Sequence, residues 1–324
     1  MSDTVLVTSR SFSTGGADLV ARLESAGLRV VRGPATHDLE ALRPTLDDVV
    51  AWIAGTGPVT ATHLAAAPAL RVVARYGTGV DSVDLAAAAG AGVVVTNTPG
   101  ANSEAVAEHA VALLFALLRG VAAGDRRVRT GDWSVSRGRQ LAGSVAGVVG
   151  FGRIGRAAAQ RLMALGCEVL AHDPYAPDDD VLATGAKPAD LDQIRDSAQV
   201  VSLHAPGGST VVDDAWLSCC PADQLVVNTA RADLVDERAL ARALREGRLA
   251  GYAADTLAAE AGADSASPLL ADDLADRVVV TPHLGAQTRE AVDTMGALAV
   301  DGVLDVLAGR SPAHPVVPFP GGRA

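Results

Sequence analysis

The sequence predicts an α/β protein with two doubly wound parallel sheets. Short apolar runs alternate with helix-like segments in two separate series, one within the first hundred residues and one from residue 145 onwards. The second series opens with the loop Gly150-Phe-Gly-Arg-Ile-Gly155 between a strand and a helix. Arg231 and His283 each follow a later apolar run directly. Such alternation places helices over a parallel sheet, whose strands bind ligands at their carboxyl ends.

The first series contains five predicted strands, separated by alanine-rich segments of helical spacing. These strands cover residues 4–8, 28–31, 49–54, 70–74 and 93–96. A long helix is predicted over residues 104–119, where Ser103 can serve as N-cap and apolar side chains lie on almost every side. A helix that is apolar all round is buried, either within a domain or at a subunit contact. Residues 124–140 are charged and aperiodic, and they are predicted to form a surface excursion.

The second series contains six predicted strands, enough for a complete dinucleotide-binding domain. They cover residues 145–149, 168–172, 200–204, 225–229, 251–255 and 278–281. Helices are predicted between them, including residues 154–165 directly after the glycine loop. Residues 288–307 form one more predicted helix, and a proline-rich tail follows.

Composition limits the class of protein. The chain of 324 residues suits two domains, and its net charge of −11 argues against a nucleic-acid partner, because phosphate contacts need a basic surface. No uninterrupted apolar stretch reaches membrane-spanning length, and the N-terminus lacks the pattern of a secretion signal. Cys167, Cys219 and Cys220 lack the spacing of metal ligands. We therefore expect a cytoplasmic protein without a metal, membrane or nucleic-acid partner.

The glycine loop predicts a dinucleotide site. Gly150 allows a tight turn, Gly152 lets the backbone approach a pyrophosphate, and Gly155 lets the helix pack closely on the strand. The N-terminus of that helix presents N–H groups to the phosphates. Asp173, at the end of the next predicted strand, has the spacing to accept a hydrogen bond from the ribose 2′-hydroxyl. Since this carboxylate would repel a 2′-phosphate and no arginine closely follows it, NAD is favoured over NADP.

Arg231 and His283 have the chemistry of a hydride-transfer site. Arginine stays charged and binds a carboxylate through two hydrogen bonds, although a helix cap or an ion pair is an equal alternative for Arg231. Histidine passes a proton near neutral pH, as the oxidation of an alcohol requires. A carboxylate bonded to the other ring nitrogen would fix the tautomer. Glu260, Asp255 and Asp264 all lie close enough in the sequence to supply it.

A further glycine-rich turn, Arg75-Tyr-Gly-Thr-Gly79, ends a strand of the first series. Successive backbone N–H groups in such a turn can bind a carboxylate. An ordinary strand-to-helix turn has the same composition, so this turn alone does not establish a site.

Together these motifs resemble the D-isomer-specific 2-hydroxyacid dehydrogenase family, and most closely its phosphoglycerate dehydrogenase branch. The resemblance runs from about residue 49 to residue 290. Its motifs are Arg75-Tyr-Gly-Thr-Gly-Val-Asp-Ser-Val-Asp84, Asn97-Thr-Pro-Gly-Ala-Asn102, Ala105-Val-Ala-Glu108, Val149-Gly-Phe-Gly-Arg-Ile-Gly155, Asn228-Thr-Ala-Arg231, Val235-Asp-Glu237 and Pro282-His-Leu-Gly-Ala286. Several ordered motifs at matching intervals are far more specific than any one of them.

The resemblance implies two domains and a homodimer. A Rossmann NAD-binding domain, residues 99–285, would be inserted into a flavodoxin-like substrate domain made of residues 1–98 and 286–324. The long helix that begins near Asn102 would contribute to the dimer interface.

The resemblance also implies roles for individual residues. Arg231, Glu260 and His283 match the family's catalytic arginine, glutamate and histidine. The implied cofactor contacts are Gly150, Gly152, Arg153, Ile154, Gly155, Asp173, His204, Thr229 and Asp255. The implied substrate contacts are Arg75, Tyr76, Gly77, Thr78, Gly79 and Asn102.

Several positions depart from the family pattern. Ala232 stands where glycine usually follows the arginine, Ala261 replaces the usual proline after the glutamate, and Gly207-Gly208 replaces a leucine–threonine pair. Phosphoglycerate dehydrogenases often place an arginine at the position of Ala54 to bind the substrate phosphate, and alanine cannot do this.

We therefore expect an NAD-dependent dehydrogenase that interconverts a D-2-hydroxy acid and its 2-oxo acid. His283 would move the hydroxyl proton and Arg231 would bind the carboxylate. D-3-phosphoglycerate dehydrogenase is the main alternative among enzymes. A non-catalytic NAD(H)-sensing protein is the alternative from another class, and an inorganic-anion oxidase such as phosphite dehydrogenase shares the same catalytic groups.

Overall fold

The computed structural model describes residues 3–258 and 266–317. The chain divides into two compact units, one made of Met1–Asn102 and Ala286–Ala324 and the other of Ser103–Gly285. The second unit thus interrupts the first in sequence. The first division follows Asn102, compared with residue 98 in the prediction.

The first unit contains a six-stranded sheet. Its strands are β1 (Thr4–Val7), β2 (Arg29–Arg32), β3 (Val49–Ala54), β4 (Val72–Arg75), β5 (Val94–Thr96) and β13 (Pro315–Val317). They lie in the order β13-β5-β4-β3-β1-β2, and only the β13–β5 pair is antiparallel. The five predicted strands have the 2-1-3-4-5 order of flavodoxin-like sheets. The sixth, β13, lies in the tail for which only high proline content had been noted.

Aspartates start several helices of this unit. Its described helices are α1 (Leu19–Ser25), α2 (Leu39–Leu46), α3 (Ala61–Ala65), α4 (Leu85–Gly90) and α12 (Arg289–Leu307). The side chains of Asp18, Asp38 and Asp84 accept backbone N–H groups at the first turns of α1, α2 and α4. These caps satisfy N–H groups that have no partner inside the helix, which determines where each helix begins.

The second unit contains a seven-stranded parallel sheet. Its strands are β6 (Val145–Val149), β7 (Glu168–His172), β8 (Lys187–Pro188), β9 (Val200–Leu203), β10 (Leu225–Asn228), β11 (Gly251–Ala254) and β12 (Val278–Val280). They lie in the order β12-β11-β10-β9-β6-β7-β8. This is the 3-2-1-4-5-6 order of a dinucleotide-binding domain with one further edge strand, so the predicted fold class is confirmed. The prediction missed only β8, which is too short to show a periodic pattern.

Helices flank this sheet, and one of them corrects the prediction. The described helices are α5 (Ser103–Leu118), α6 (Val121–Arg129), α7 (Arg153–Ala164), α8 (Asp178–Leu182), α9 (Leu191–Ser197), α10 (Asp214–Cys219) and α11 (Glu237–Arg245). Short 3₁₀ turns lie at Ala232–Leu234, Pro268–Leu270 and Asp272–Leu274. The prediction of an irregular segment from residue 124 was wrong as far as Arg129. Gly120, with a φ of +59°, ends α5 and allows α6 to start in a new direction.

Among the described residues, no single helix is long and apolar enough to cross a membrane. Only α5 and α6 taken together reach the required length and hydropathy, and they are bent by 59° at the break between them. Half of the 16 residues of α5 are buried within the second unit.

Candidate active site

The glycine loop joins β6 to α7, and its three glycines have different surroundings. A side chain at Gly150 would begin 2.4 Å from the backbone nitrogen of Ala205, and Gly150 has a φ of +91°. A side chain at Gly155 would begin 1.9 Å from the Gly150 carbonyl oxygen. No described atom lies within 4 Å of the corresponding point at Gly152. Packing therefore requires Gly150 and Gly155, whereas the space in front of Gly152 is open to a ligand.

Asp173 follows β7, and its carboxylate lies beside the glycine loop. One oxygen accepts the N–H of Phe151 at 2.7 Å, and the other accepts the N–H of Tyr175 at 2.9 Å. A carboxylate oxygen has more than one acceptor position, so capacity remains for a ribose hydroxyl. Asp173 also lines a cavity of about 380 Å³ whose other walls include Val181 and Pro188. The lining also includes Asp178, Asp190 and Gln193, so it combines apolar surface with several hydrogen-bond acceptors, as the base and ribose of a nucleoside require.

Three buried polar atoms follow neighbouring strands and have no hydrogen-bond partner in the described part of the chain. They are His204 Nδ1 after β9, Thr229 Oγ1 after β10 and Thr256 Oγ1 after β11. The other ring nitrogen of His204 lies 2.8 Å from the Ser202 hydroxyl, and burial lowers the pKa of this histidine to about 4. Buried polar atoms normally have partners. A row of them along one sheet edge therefore fits the polar groups of a bound dinucleotide.

Arg231 lies directly after β10 and begins the 3₁₀ turn Ala232–Leu234. Its carbonyl oxygen accepts a hydrogen bond from the Asn228 side chain at 2.7 Å, and the same side chain accepts the N–H of Ala230 at 3.0 Å. The Arg231 guanidinium is half-buried and donates to the Ala230 carbonyl at 2.9 Å. Asn228 thus holds the backbone from which this guanidinium projects.

His283 follows β12 in a backbone conformation that is unusual for its residue type. Its φ is +55°, in the left-handed region that residues other than glycine seldom adopt. Its N–H donates to the carbonyl oxygens of Asp255, at 3.1 Å, and Thr281, at 3.0 Å. The histidine side chain is exposed. A conformation of this kind persists only where the surroundings impose it.

The surroundings of the His283 turn are organised by Asp255, which follows β11 and is 2% exposed. Its carboxylate accepts the N–H groups of Leu284 at 2.7 Å and Gly285 at 2.8 Å. It also accepts the Thr281 hydroxyl, and His109 Nε2 lies 3.2 Å away. Burial raises the pKa of Asp255, but these hydrogen bonds outweigh burial and lower the pKa below its usual value. The ionised carboxylate therefore anchors the turn that presents His283.

His109, on α5, is a residue of this cluster that was not predicted. Its Nε2 lies 2.9 Å from the Thr281 hydroxyl, which itself donates to Asp255. Nε2 must then carry the hydrogen and donate it to the hydroxyl, the carboxylate or both. The available sequence signal was a histidine within a largely apolar helix, because a partly buried ring nitrogen needs a partner.

The three carboxylates considered as partners for the His283 ring have different outcomes. Glu260 and Asp264 lie outside the described residues. Asp255 binds the backbone of the turn, so it orients His283 through the main chain. Across the described ranges, no group of His, Cys, Asp and Glu side chains could hold a metal ion.

In the first unit, two of the predicted substrate contacts lie inside the protein. Arg75 is only 9% exposed, and its guanidinium donates to the carbonyl oxygens of Ala54, at 3.5 Å, and Tyr76. Tyr76 is also buried, and its hydroxyl donates to the Val292 carbonyl at 2.8 Å. Burial raises the pKa of Tyr76 to about 12. Both side chains therefore contribute to the packing of this unit.

The rest of the turn after β4 is held by its carbonyl groups. The Asn97 side chain donates to the Thr78 carbonyl at 2.8 Å, and the N–H of Thr98 donates to the Gly77 carbonyl at 3.1 Å. The Thr78 hydroxyl donates to the Asn102 side chain at 3.2 Å. A trans peptide sets each N–H opposite to the preceding carbonyl. The N–H groups that follow Gly77 and Thr78 therefore point away from these bonds, as an anion-binding turn requires.

Known proteins of similar sequence point to one family. Residues 111–285, more than half of the chain, match the NAD binding domain of the D-isomer specific 2-hydroxyacid dehydrogenases. D-3-phosphoglycerate dehydrogenase of Mycobacterium tuberculosis is 41% identical over 288 residues, with 87% of this chain and 53% of the relative covered. D-3-phosphoglycerate dehydrogenase 2, chloroplastic, of Arabidopsis thaliana is 34% identical over 340 residues, with 97% and 54% covered. The chain spans about half the length of these curated relatives.

Solved structures agree with this assignment. The TT0316 protein from Thermus thermophilus has a TM-score of 0.84 at 34% identity, covering 97% of this chain and 100% of that one. D-lactate dehydrogenase from Escherichia coli has a TM-score of 0.84 at 25% identity, covering 97% and 100%. An NADPH-dependent glyoxylate/hydroxypyruvate reductase from Sinorhizobium meliloti, in complex with NADP and malonate, has a TM-score of 0.83 at 27% identity, covering 100% and 99%. The chain therefore belongs to the D-isomer specific 2-hydroxyacid dehydrogenase family.

Proposed function

We propose that the protein is an NAD-dependent dehydrogenase that interconverts a D-2-hydroxy acid and its 2-oxo acid. The observation that carries this proposal is the order of groups along one edge of the seven-stranded sheet. From β7 to β12 this edge presents Asp173, the glycine loop around Gly152, His204, Arg231 and His283. Along this edge lie, in order, an acceptor for the ribose, an open loop for the phosphates, a polar ring, a cation for the carboxylate and a histidine for proton transfer. This is the order in which a bound dinucleotide and a 2-oxo acid would meet them.

The chemistry assigned to this edge needs two protein groups. Arg231 binds the substrate carboxylate and polarises the adjacent carbonyl with its permanent charge. His283 takes the hydroxyl proton during oxidation and returns it during reduction. Nicotinamide, when bound, supplies the hydride chemistry. Asp255 holds the His283 turn through the amides of Leu284 and Gly285, so the backbone from which the ring projects is fixed.

The remaining member of the proposed catalytic set is Glu260. Its role as the carboxylate bonded to the second ring nitrogen of His283 rests on the match to the family motif. A carboxylate in that place raises the histidine pKa and fixes its tautomer.

Asp173 supports NAD rather than NADP as the cofactor. Its carboxylate already accepts the N–H of Phe151, so it faces the glycine loop where a ribose would lie. A 2′-phosphate there would meet like charge, whereas a hydroxyl would donate a hydrogen bond. Gly152, Arg153 and Ile154 lie at the start of α7, where helix N–H groups can bind the pyrophosphate. The expected result is a much lower Kd for NADH than for NADPH in a fluorescence titration.

The first unit supports an unphosphorylated substrate. Ala54 is fully buried, and the loop from Gly55 to Pro58 contains no charged side chain. Arg75 is turned inward to the carbonyls of Ala54 and Tyr76. We propose that the backbone N–H groups of Thr78 and Gly79 bind the substrate carboxylate in this unit.

D-3-phosphoglycerate dehydrogenase is the second candidate function, favoured by the 41% identity to the mycobacterial enzyme of that name. Its substrate carries a phosphate dianion, for which arginine is the usual partner. The inward position of Arg75 and the absence of a cation between Ala54 and Pro58 favour the unphosphorylated acid.

We also propose that the protein forms a homodimer through α5 and the segment after it. The described surface there exposes large apolar side chains, which on a monomer would contact water. They are Val121 at 58%, Val128 at 43%, Trp133 at 78% and Val135 at 96%. The three free cysteines fit a reducing compartment, and the cytoplasm is the proposed location.

The test is NADH consumption by the purified protein with a panel of 2-oxo acids, with NADPH measured in parallel. Hydroxypyruvate and 3-phosphohydroxypyruvate form a matched pair that differs only in the phosphate. We expect the higher kcat/KM for an unphosphorylated acid, and a strong preference for 3-phosphohydroxypyruvate would establish the second candidate. Tight NADH binding with no turnover of any acid would contradict the enzyme assignment and favour an NAD(H)-sensing protein.

A further inference from the structure

Asp233 joins two loops at the edge of the seven-stranded sheet. It lies in the 3₁₀ turn directly after Arg231, and its carboxylate accepts the N–H of Gly208 at 2.7 Å. Its carbonyl oxygen accepts the Thr210 hydroxyl at 3.1 Å. Gly208 and Thr210 belong to the loop after β9, whereas Asp233 belongs to the loop after β10. Asp233 therefore connects the two loops, through both its carboxylate and its backbone carbonyl oxygen.

The sequence Gly207-Gly208 of the loop after β9 leaves room for this contact. A side chain at Gly207 would begin 2.7 Å and 2.9 Å from the two carboxylate oxygens of Asp233, closer than carbon atoms approach oxygen in proteins. Gly208 has a φ of +104°, which strains any other residue. Glycine at position 207 therefore leaves room for the Asp233 carboxylate where it accepts the Gly208 N–H, and a larger residue would displace that carboxylate.

The same loop also contacts the glycine loop. The backbone nitrogen of Ala205 lies 2.4 Å from the point where a Gly150 side chain would begin. The segment from Ala205 to Gly208 therefore runs from the predicted phosphate loop to the turn that follows Arg231. Loss of the Asp233 hydrogen bond therefore releases a short segment that borders both the glycine loop and the turn after Arg231.

We propose that Asp233 is a positioning residue that fixes the Arg231 turn against the loop bordering the dinucleotide site. This inference rests on the proposed function, since it concerns how the carboxylate-binding arginine is held. Asp233 is exposed, so its charge is largely screened by water and its role is that of a hydrogen-bond acceptor. Asparagine keeps one acceptor oxygen and therefore retains the function of Asp233, whereas alanine does not.

The experiment compares Asp233→Ala, Asp233→Asn and the control Asp48→Ala. Asp48 is an exposed aspartate of the other unit, and its replacement makes the same change in net charge. Asp233→Ala raises the KM of the preferred 2-oxo acid about fivefold, the effect of one ordinary lost hydrogen bond. The kcat falls by a smaller factor, through the displaced Arg231, because His283 is untouched. Asp233→Asn and Asp48→Ala stay close to the unmodified protein.

A double-mutant cycle tests the contact itself without requiring turnover. Gly207→Ala weakens NADH binding and lowers the Tm in the unmodified protein, because the new methyl group meets the Asp233 carboxylate. In the Asp233→Ala background the same change has little effect, since the carboxylate is gone. Additive effects in this cycle overturn the proposal, as does an Asp233→Asn variant as impaired as Asp233→Ala. If no 2-oxo acid is turned over, the proposed function fails, and the cycle in NADH affinity still decides the role of Asp233.

Discussion

Thr8 in the first unit and Thr229 in the second both lie at the carboxyl end of a parallel strand, yet the surroundings of their hydroxyl groups differ. Each threonine follows a buried parallel strand directly, β1 in the first unit and β10 in the second. The Thr8 hydroxyl accepts the indole N–H of Trp52 at 2.9 Å and lies 2.6 Å from His37 Nε2. It also accepts the N–H of Gly55 at 3.3 Å. The Thr229 hydroxyl is buried with no partner among the residues that the structure describes.

Under the proposed function, this difference separates a packing site at Thr8 from a binding site at Thr229. Because Thr8 accepts from two N–H groups, its own hydrogen points to His37 Nε2. The opposite ring nitrogen, Nδ1, then donates to the Pro58 carbonyl at 3.1 Å. The polar atoms of these side chains are satisfied by protein and stabilise the loop after β3. The Thr229 hydroxyl has no such partner among the described residues, and under the proposed function it is available to a ligand.

The largest expected effect on turnover comes from replacing His283, at the carboxyl edge of the seven-stranded sheet. Substitution with asparagine removes proton transfer but keeps a residue type that tolerates the φ of +55°. We expect kcat to fall about a thousandfold, the range of general acid–base catalysis. The Kd for NADH should stay close to that of the unmodified protein, and so should kcat in a His314→Asn control. Near-normal turnover by His283→Asn would falsify the assignment of this edge as catalytic.

Two glycines of one loop should separate folding from binding. Gly155→Ala places a methyl group against the Gly150 carbonyl and should destabilise the protein by about 3 kcal/mol or more. Gly152→Ala meets no described atom, so the Tm without cofactor should be unchanged. The Kd for NADH should rise about tenfold to a hundredfold if the methyl group displaces the pyrophosphate. Thermal unfolding and fluorescence titration of both variants check this, and unchanged affinity in Gly152→Ala would exclude the phosphate role.

The buried His37 ring of the first unit should make the stability of the protein depend on pH. Burial lowers the pKa of His37 to about 4, with the charges of His63 and Arg75 acting in the same direction and the Pro58 hydrogen bond opposing. Because an unfolded histidine titrates near 6.5, the unfolded chain binds the proton first as pH falls. Stability is complete above pH 6.5 and decreases towards pH 4, by on the order of 3 kcal/mol from this group.

Urea unfolding at pH 7 and pH 4.5 measures this dependence. His37→Asn removes the titrating ring at a position whose φ is +56°, which asparagine tolerates. The variant should be less stable at pH 7 but lose less stability on acidification. His204, whose pKa is also lowered to about 4, remains in both proteins and cancels in the difference. Equal losses in the two proteins would show that the His37 ring does not titrate as its burial requires.

The smallest effects test the two threonines directly. Thr8→Val leaves the indole N–H of Trp52 without its acceptor and should cost about 2 kcal/mol, with no change in NADH affinity. Thr229→Val removes a hydroxyl that has no protein partner among the described residues, so stability should be unchanged or slightly higher, while NADH binding weakens. If Thr8→Val and Thr229→Val lose stability equally, the two threonines do not differ in the way proposed.

Much of the fold could be predicted because buried parallel strands have uninterrupted apolar sequences. Strands such as β3 and β10 are buried on both faces, and almost all of their residues are apolar. The edge strands β8 and β13 could not be predicted, since two or three residues with a proline show no periodicity. The predicted extent of the segment after α5 was wrong because Gly120 redirects the chain into a second helix, which only its left-handed backbone reveals.

The sequence by itself determined the family, the fold class and the residue types at the sheet edge, because glycine turns and apolar strands are local patterns. Only the tertiary structure decided which polar groups are already hydrogen-bonded within the protein. Arg75 matches a substrate contact of the family, and only the structure places its guanidinium against the carbonyl oxygens of Ala54 and Tyr76. His109 is an ordinary helix residue in the sequence, yet it joins Asp255 beneath the His283 turn. The hydrogen-bond partners of these groups come from strands that are distant in sequence. Whether a polar group has a partner therefore depends on the packed sheet and cannot be read from a motif.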